Sequence, residues 1–254
     1  MNTRGVNSMT VLDNKVAVIT GGTSGIGEAV ARRFVTEGAQ VVIAARGQER
    51  LYSLADEIGA TPIICDISQF TDVENLAATV VDKFERIDIA VNSAGYEDAC
   101  PIAELEPTRV EKMVAVQFTG ALYFIQHMGN AMGKGGSVVS ISSMTASIVA
   151  AGQAPYAGSK AGINHVSRMA ASEYGGKGVR FNTVSPTLIE TPMTAPMFEI
   201  PGMEEFVVQE TPLGRVGRVE DVVEAVLWLS SDASGFVTGE NINVCGGLGL
   251  RRLG

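Results

Sequence analysis

The sequence is poor in the residues that build metal centres and disulfide frameworks. Its three cysteines, Cys65, Cys100 and Cys245, are odd in number and far apart, and two histidines, His127 and His165, leave little for zinc. That usage suits a reducing compartment, and no metal is expected. Positive charge is scarce too: 19 Lys and Arg stand against 28 Asp and Glu, a formal net charge of -9. A surface of that sign repels phosphate backbones and acidic lipid, so neither nucleic acid nor a membrane is expected as a partner. The opening MNTRGVNSMTVLDNK has no apolar core of signal-peptide length, and the expected location is the cytoplasm. Two uncharged runs, Met113 to Gly133 and Gly135 to Ser159, have the length of a bilayer span. Gln117, Gln126, His127 and Asn130 in the first, and crowded serine and glycine in the second, favour buried soluble structure instead.

What is present is core material. Apolar residues make up 46% of the chain against 19% charged, enough for one hydrophobic core in 254 residues, so a single domain over 1–254 is expected. Strand-length runs, KVAVIT, QVVIAA, TPIIC, IDIAVN, SVVSIS, VRFNTVS and NINVC, alternate with segments of helical period. The helices are expected near 26–37, 49–58, 73–84, 107–132, 155–174 and 219–229. Strands apolar on both faces, joined by helical crossovers, define an α/β fold. The expectation is a Rossmann-type doubly wound, mostly parallel seven-stranded sheet with helices on both faces. Such sheets bind ligands beyond the carboxyl ends of their strands. Between about 190 and 217 the pattern breaks around Pro192, Pro196, Pro201 and Pro212, and a loop of that length is usually functional.

Directly after the first strand, TGGTSGIG (Thr20 to Gly27) opens a helix. Gly21, Gly25 and Gly27 fit a dinucleotide loop, which needs a tight turn, room for a pyrophosphate and close approach of helix to strand. A site that prefers NAD usually carries a carboxylate at the end of the second strand. Here the chain reads Ala44, Ala45, Arg46, so NADP is favoured over NAD, unless Arg46 is merely a solvated residue at a strand end. After the third strand, Asp66 is placed either to reach the adenine edge or to cap the following turn.

In APYAGSKAG, Tyr156 and Lys160 lie four residues apart near the start of a helix and so share one face. A phenol titrates near 10, and bringing it to about 7 takes roughly 4 kcal/mol at about 1.4 per unit. An ammonium about 4 Å away supplies roughly that at an effective dielectric of about 20. Lys160 is therefore expected to make Tyr156 a usable acid and base.

These segments resemble the short-chain dehydrogenase/reductase family, in the subgroup with T-G-x3-G-x-G and Y-x3-K motifs, from KVAVITGG to FVTGENINVCGG. The resemblance implies hydride transfer between a nicotinamide dinucleotide and an alcohol or ketone. It assigns Ser143, in SVVSISSM, to orient the substrate oxygen, Tyr156 to exchange its proton, and Lys160 also to the nicotinamide ribose. It adds Thr23, Ser24 and Ile26 to the glycine loop, Ile67 beside Asp66, and Asn92, Ala94 and Gly95 to the adenosine side. Pro186, Ile189 and Thr191 fall to the nicotinamide. Gln117 stands where the family carries an asparagine that supports a water-linked proton relay; it retains an amide and a backbone carbonyl, so activity is expected to survive. Ser93, Thr187 and Cys245 likewise replace the family's asparagine, glycine and acid.

The irregular stretch would form the lid over the substrate. The substrate pocket is expected to hold Tyr96, Gln153, Leu188, Met193, Met197, Phe198, Met203 and Phe206. Methionine and aromatics mould round apolar ligands, which points to a hydrophobic cyclic or aromatic ketone or secondary alcohol. A homotetramer is implied, and Arg251 and Arg252 either reach a neighbouring subunit or fray in solvent. Two other readings are a non-catalytic dinucleotide-binding sensor and a 3-oxoacyl-type reductase. A serine hydrolase lacks its G-x-S-x-G elbow.

Overall fold

A computed structural model describes residues 10–133 and 135–250; Arg251 and Arg252 lie outside them. Seven strands form one sheet in the order β3-β2-β1-β4-β5-β6-β7, and every pairing is parallel. They are β1 (Val16–Thr20), β2 (Gln40–Ala45), β3 (Thr61–Ile64), β4 (Ile89–Asn92), β5 (Gly136–Ile141), β6 (Val179–Pro186) and β7 (Asn241–Val244). The expected sheet is thus present, and it is wholly rather than mostly parallel.

Side chains alternate across the sheet, as the two-residue period of a strand requires. Ala17, Ile19, Val41, Ile43 and Val91 enter one apolar layer with α1 (Gly25–Thr36), α2 (Gln48–Ile58) and α9 (Val219–Ser230). Val16, Val18, Val42, Ala44 and Ala90 enter the other with α3 (Phe70–Phe84), α5 (Gly120–Ala131) and α6 (Ala154–Tyr174). Burial on both faces is why the strands read as continuous apolar runs.

The order reverses between β1 and β4, where the chain leaves β1 in one direction and β4 in the other. Loops that diverge at such a point leave a crevice at the carboxyl ends of the strands. Thr20 and Asn92 end these strands in register, and the Thr20 hydroxyl donates to Asn92 Oδ1 at 2.8 Å.

Two departures from the sequence expectation concern the site. The expected helix over 107–132 is divided into α4 (Pro107–Val114), a π-helical turn (Ala115–Thr119) and α5. Such turns recur at functional sites, and this one carries Gln117. The stretch at 190–217 is not wholly irregular either. It contains α7 (Ala195–Phe198) and α8 (Met203–Glu210), with Gly202 before α8 at a φ of 79°. No helix among the described residues is long and apolar enough to cross a membrane.

Candidate active site

The glycine loop is fixed by close approach. Gly21 has a φ of 66°, and a Cβ there would sit 2.6 Å from the Ala94 backbone nitrogen. A Cβ on Gly27 would collide with the Gly21 carbonyl. Any side chain would push α1 off β1 or close the crevice. Two clefts flank this loop and share Gly21, Ser24 and Gly95.

One cleft, of about 510 Å³, has walls from the ends of β1, β2, β3 and β4: Thr23, Arg46, Asp66, Ile67, Ala94 and Tyr96 among them. Arg46 is exposed, in keeping with a cation offered to a ligand rather than held by a carboxylate. The other, of about 160 Å³, contains Gly25, Ile26, Gln117, Ser143, Tyr156, Lys160, Pro186, Ile189, Thr191 and Met193. Two connected clefts around a helix N-terminus, one edged by a guanidinium, fit the two halves of a dinucleotide.

Two of the expected cofactor residues act at one remove. Asn92 is buried outside both cleft walls; its Oδ1 accepts from Thr20 and from the Ala94 backbone N–H at 3.3 Å, fixing the turn instead. Gly27 serves by packing rather than by facing a cleft. Asp66 caps the following turn, its Oδ1 accepting from the Ser68 backbone N–H at 3.0 Å and hydroxyl at 2.8 Å, and it also borders the larger cleft.

Ser143, Tyr156 and Lys160 all face the smaller cleft. Ser143 follows β5, and its Oγ accepts from the Thr145 backbone N–H at 3.2 Å and from the Thr145 hydroxyl at 2.9 Å, which leaves the Ser143 proton free to donate. Lys160 is only 8% exposed, and its Nζ donates to the Ile141 carbonyl at 2.8 Å. That nitrogen lies 5.5 Å from the Tyr156 ring centroid.

Burial opposes the expected activation of the phenol. Burial pushes Tyr156 up to about 12, with a hydrogen bond from Ser143 opposing and the charge of Glu97 adding. Burial brings Lys160 down to about 8. The ammonium donates to a backbone carbonyl, and desolvation is the largest influence on both groups. At neutral pH the phenol therefore carries its proton, the form needed to protonate a carbonyl oxygen.

Gln117 is buried and donates from Nε2 to the Tyr96 carbonyl, while its Oε1 has no partner among the described residues. Its amide rests against Gly95, where a Cβ would meet it at 2.9 Å. The π-helical turn thereby braces the segment after β4.

The expected substrate residues separate. Met193 borders the smaller cleft, whereas Tyr96 borders the larger one. Gln153, Leu188, Met197, Phe198, Met203 and Phe206 line neither wall. Phe206 is 60% exposed while its neighbour Val207 is buried; the helical period of α8 turns one inward and the other out. Residues not foreseen from sequence include Thr194, whose hydroxyl accepts from the Thr191 backbone N–H at 3.0 Å and pins the start of the lid stretch. The T-x-x-T spacing was the available signal.

A family model described as enoyl-(acyl carrier protein) reductase matches residues 21–249. The mitochondrial borneol dehydrogenase of Lavandula x intermedia is 36% identical over 247 residues, spanning 96% of this chain and 93% of its own. The 3-oxoacyl-[acyl-carrier-protein] reductase FabG of Thermotoga maritima is 34% identical, spanning 93% of this chain and 98% of its own. A short-chain type dehydrogenase/reductase structure from Mycobacterium ulcerans superposes with a TM-score of 0.92 at 33% identity, over 95% of this chain and 92% of that one. The chain belongs to the short-chain dehydrogenase/reductase family of oxidoreductases.

Proposed function

We propose that this protein is an NAD(P)-dependent alcohol dehydrogenase or carbonyl reductase, with NADP favoured, acting on a hydrophobic cyclic or aromatic secondary alcohol or ketone. The observation that carries the reading is the convergence of Ser143, Tyr156 and Lys160 on one cleft that opens at the glycine loop. Gly21, Thr23, Ser24, Gly25 and Ile26 would hold the pyrophosphate, and Arg46, Asp66, Ile67, Ala94 and Gly95 the adenosine half. Pro186, Ile189, Thr191 and Lys160 would hold the nicotinamide half. When bound, the dinucleotide supplies hydride donor and acceptor chemistry.

The chain supplies the proton. Ser143 donates to the carbonyl oxygen and orients it; Tyr156, protonated at neutral pH, transfers its proton to that oxygen. In the opposite direction the phenolate accepts the proton of the alcohol. Three residues between tyrosine and lysine support carbonyl rather than enoyl chemistry. The Lavandula relative acts on borneol, in keeping with an apolar substrate; the Thermotoga relative supports a 3-oxoacyl-type reductase as the second reading.

Residues 1–254 make one domain, with 190–217 as its lid. A homotetramer would bury the uncharged surface of α5, where Leu122 is 38% exposed. Free thiols throughout favour a reducing compartment such as the cytoplasm. The test is turnover of a ketone panel with NADPH and with NADH. Oxidation of NADPH by bulky apolar ketones is expected, and indifference to every ketone would overturn the reading.

A further inference from the structure

A third cleft, of about 200 Å³, is bordered by the ends of β6 and β7 and by the last part of the lid stretch, with Thr187, Leu213, Gly217, Val244 and Cys245 in its wall. The two charged residues beside them, Arg215 and Asp221, spend their charge on each other: both Nη atoms donate to the carboxylate oxygens, at 2.6 and 2.8 Å. The hydroxyl of Thr211 is spent as well, on the Val207 carbonyl at 2.6 Å. Such a wall suits an apolar chain better than an ion.

This cleft meets the catalytic one at one side chain. Among the described residues, Thr187 alone borders both. Beside it, Ile189 of the catalytic wall and Gly217 of the third cleft are joined in a parallel bridge. A Cβ on Gly217 would collide with Ile189 Cδ1 and would lie 3.7 Å from Thr187 Cγ2, so the threonine methyl stands at the partition. The partition is also stiff. Thr187 N–H donates to the Val244 carbonyl at 3.2 Å, one residue beyond the Pro186 and Val244 pair of the β6–β7 ladder, and a β-branched side chain has few rotamers. Thr187 stands where the resemblance implies glycine, and glycine would leave backbone alone at this point.

Volume sets the consequence. The catalytic cleft has about 160 Å³, which the nicotinamide half and the substrate would share, so a long substrate needs neighbouring space. We infer that Thr187 is a specificity-determining partition: its side chain closes the third cleft to the substrate, so the protein selects compact ketones and alcohols and rejects those with a long unbranched chain. This rests on the function proposed above and narrows its substrate class, against the 3-oxoacyl reading.

The test compares two compact ketones, camphor and acetophenone, with the unbranched 2-decanone as substrates of the intact protein with NADPH. The better compact ketone should exceed 2-decanone by about tenfold or more in kcat/KM. Thr187→Gly should lower that ratio by about tenfold or more, chiefly through a smaller KM for 2-decanone, because several methylenes gain apolar surroundings. Thr187→Ala, which removes the same methyl without freeing the backbone, should lower it in the same direction. Thr187→Val, which keeps the volume and loses the hydroxyl, should keep the wild-type ratio. Adding Cys245→Phe to Thr187→Gly should restore the wild-type preference, since the ring refills the third cleft; a merely loosened loop would not respond to it. A wild type that prefers 2-decanone, a ratio unmoved by both the glycine and the alanine variants, or a valine variant shifted as far as the glycine one would overturn this inference alone. Failure of all three ketones would overturn the function it rests on, and this with it.

Discussion

On the adenosine side of the glycine loop the cleft is walled largely by backbone and small side chains, with an exposed guanidinium, Arg46, at its edge. Across Gly21 the wall carries a buried lysine, a phenol and several serine and threonine hydroxyls. The first region would recognise by shape, with small side chains beside Gly21, a residue of both clefts where a Cβ would meet backbone at 2.6 Å. The second works through burial, which raises the proton affinity of Tyr156 and lowers that of Lys160. Affinity and chemistry are thus separable, and substitutions on the two sides should fail in different ways.

The largest failure belongs to the phenol. Tyr156→Phe should lower kcat by about 10²- to 10⁴-fold, the usual worth of a general acid, while dinucleotide affinity by fluorescence titration stays within about threefold. Loss of affinity of the same size as loss of rate would mean that the two clefts are not separable.

Titration gives the next largest effect. Lys160 loses its proton as pH rises through about 8, so kcat/KM for reduction should fall above that value by up to about tenfold per unit. Tyr156 holds its proton until about 12 and does not contribute in this range. Stability has the opposite sign. Between about 8 and the ordinary lysine value of 10.5, the folded chain carries fewer protons at Lys160 than the unfolded chain. Stability from this group therefore rises with pH across that window. A thermal scan over the same pH range, repeated on Lys160→Met, should lose the rise. If activity and Tm fell together in the wild type, the lysine would not be the group responsible.

The contrast between the clefts also explains what could be read in advance. The sheet was legible because its alternation is local: Val16 and Val18 face one layer, Ala17 and Ile19 the other. The glycine loop was legible because a positive φ and a close approach both demand glycine, and Tyr156 and Lys160 because one helical turn separates them. Features that depend on tertiary contact were hidden. The π-helical turn is tied to Gln117 reaching the Tyr96 carbonyl and to Gly120 passing so near β3's end that a Cβ would meet the Ile67 carbonyl at 2.6 Å. The direction of the Lys160 ammonium, set by the Ile141 carbonyl, has no sequence signature. Short helices between prolines escaped for the same reason, since α7 has only four residues in which to show a period.

A smaller effect tests the shape-reading side. Arg46→Asp replaces a fork suited to a 2′-phosphate by an acceptor suited to a 2′-hydroxyl. The ratio of kcat/KM for NADPH to that for NADH should fall by about 10- to 100-fold, with kcat at saturating cofactor changed by less than about threefold. An unchanged ratio would leave Arg46 as a solvated strand-end residue.

The smallest effect separates two lid residues that composition alone treats alike. Met193 borders the catalytic cleft, whereas Phe206 projects from α8 at 60% exposure with Val207 buried beside it. Met193→Ala should raise KM for a bulky ketone by about 10-fold, the value of a few buried methylenes. Phe206→Ala should change KM by less than about twofold and leave Tm nearly constant, because a solvent-facing ring has little burial to lose. A large rise in KM from Phe206→Ala would mean that α8 turns about Gly202 when substrate binds, and would return Phe206 to the pocket that its composition suggested.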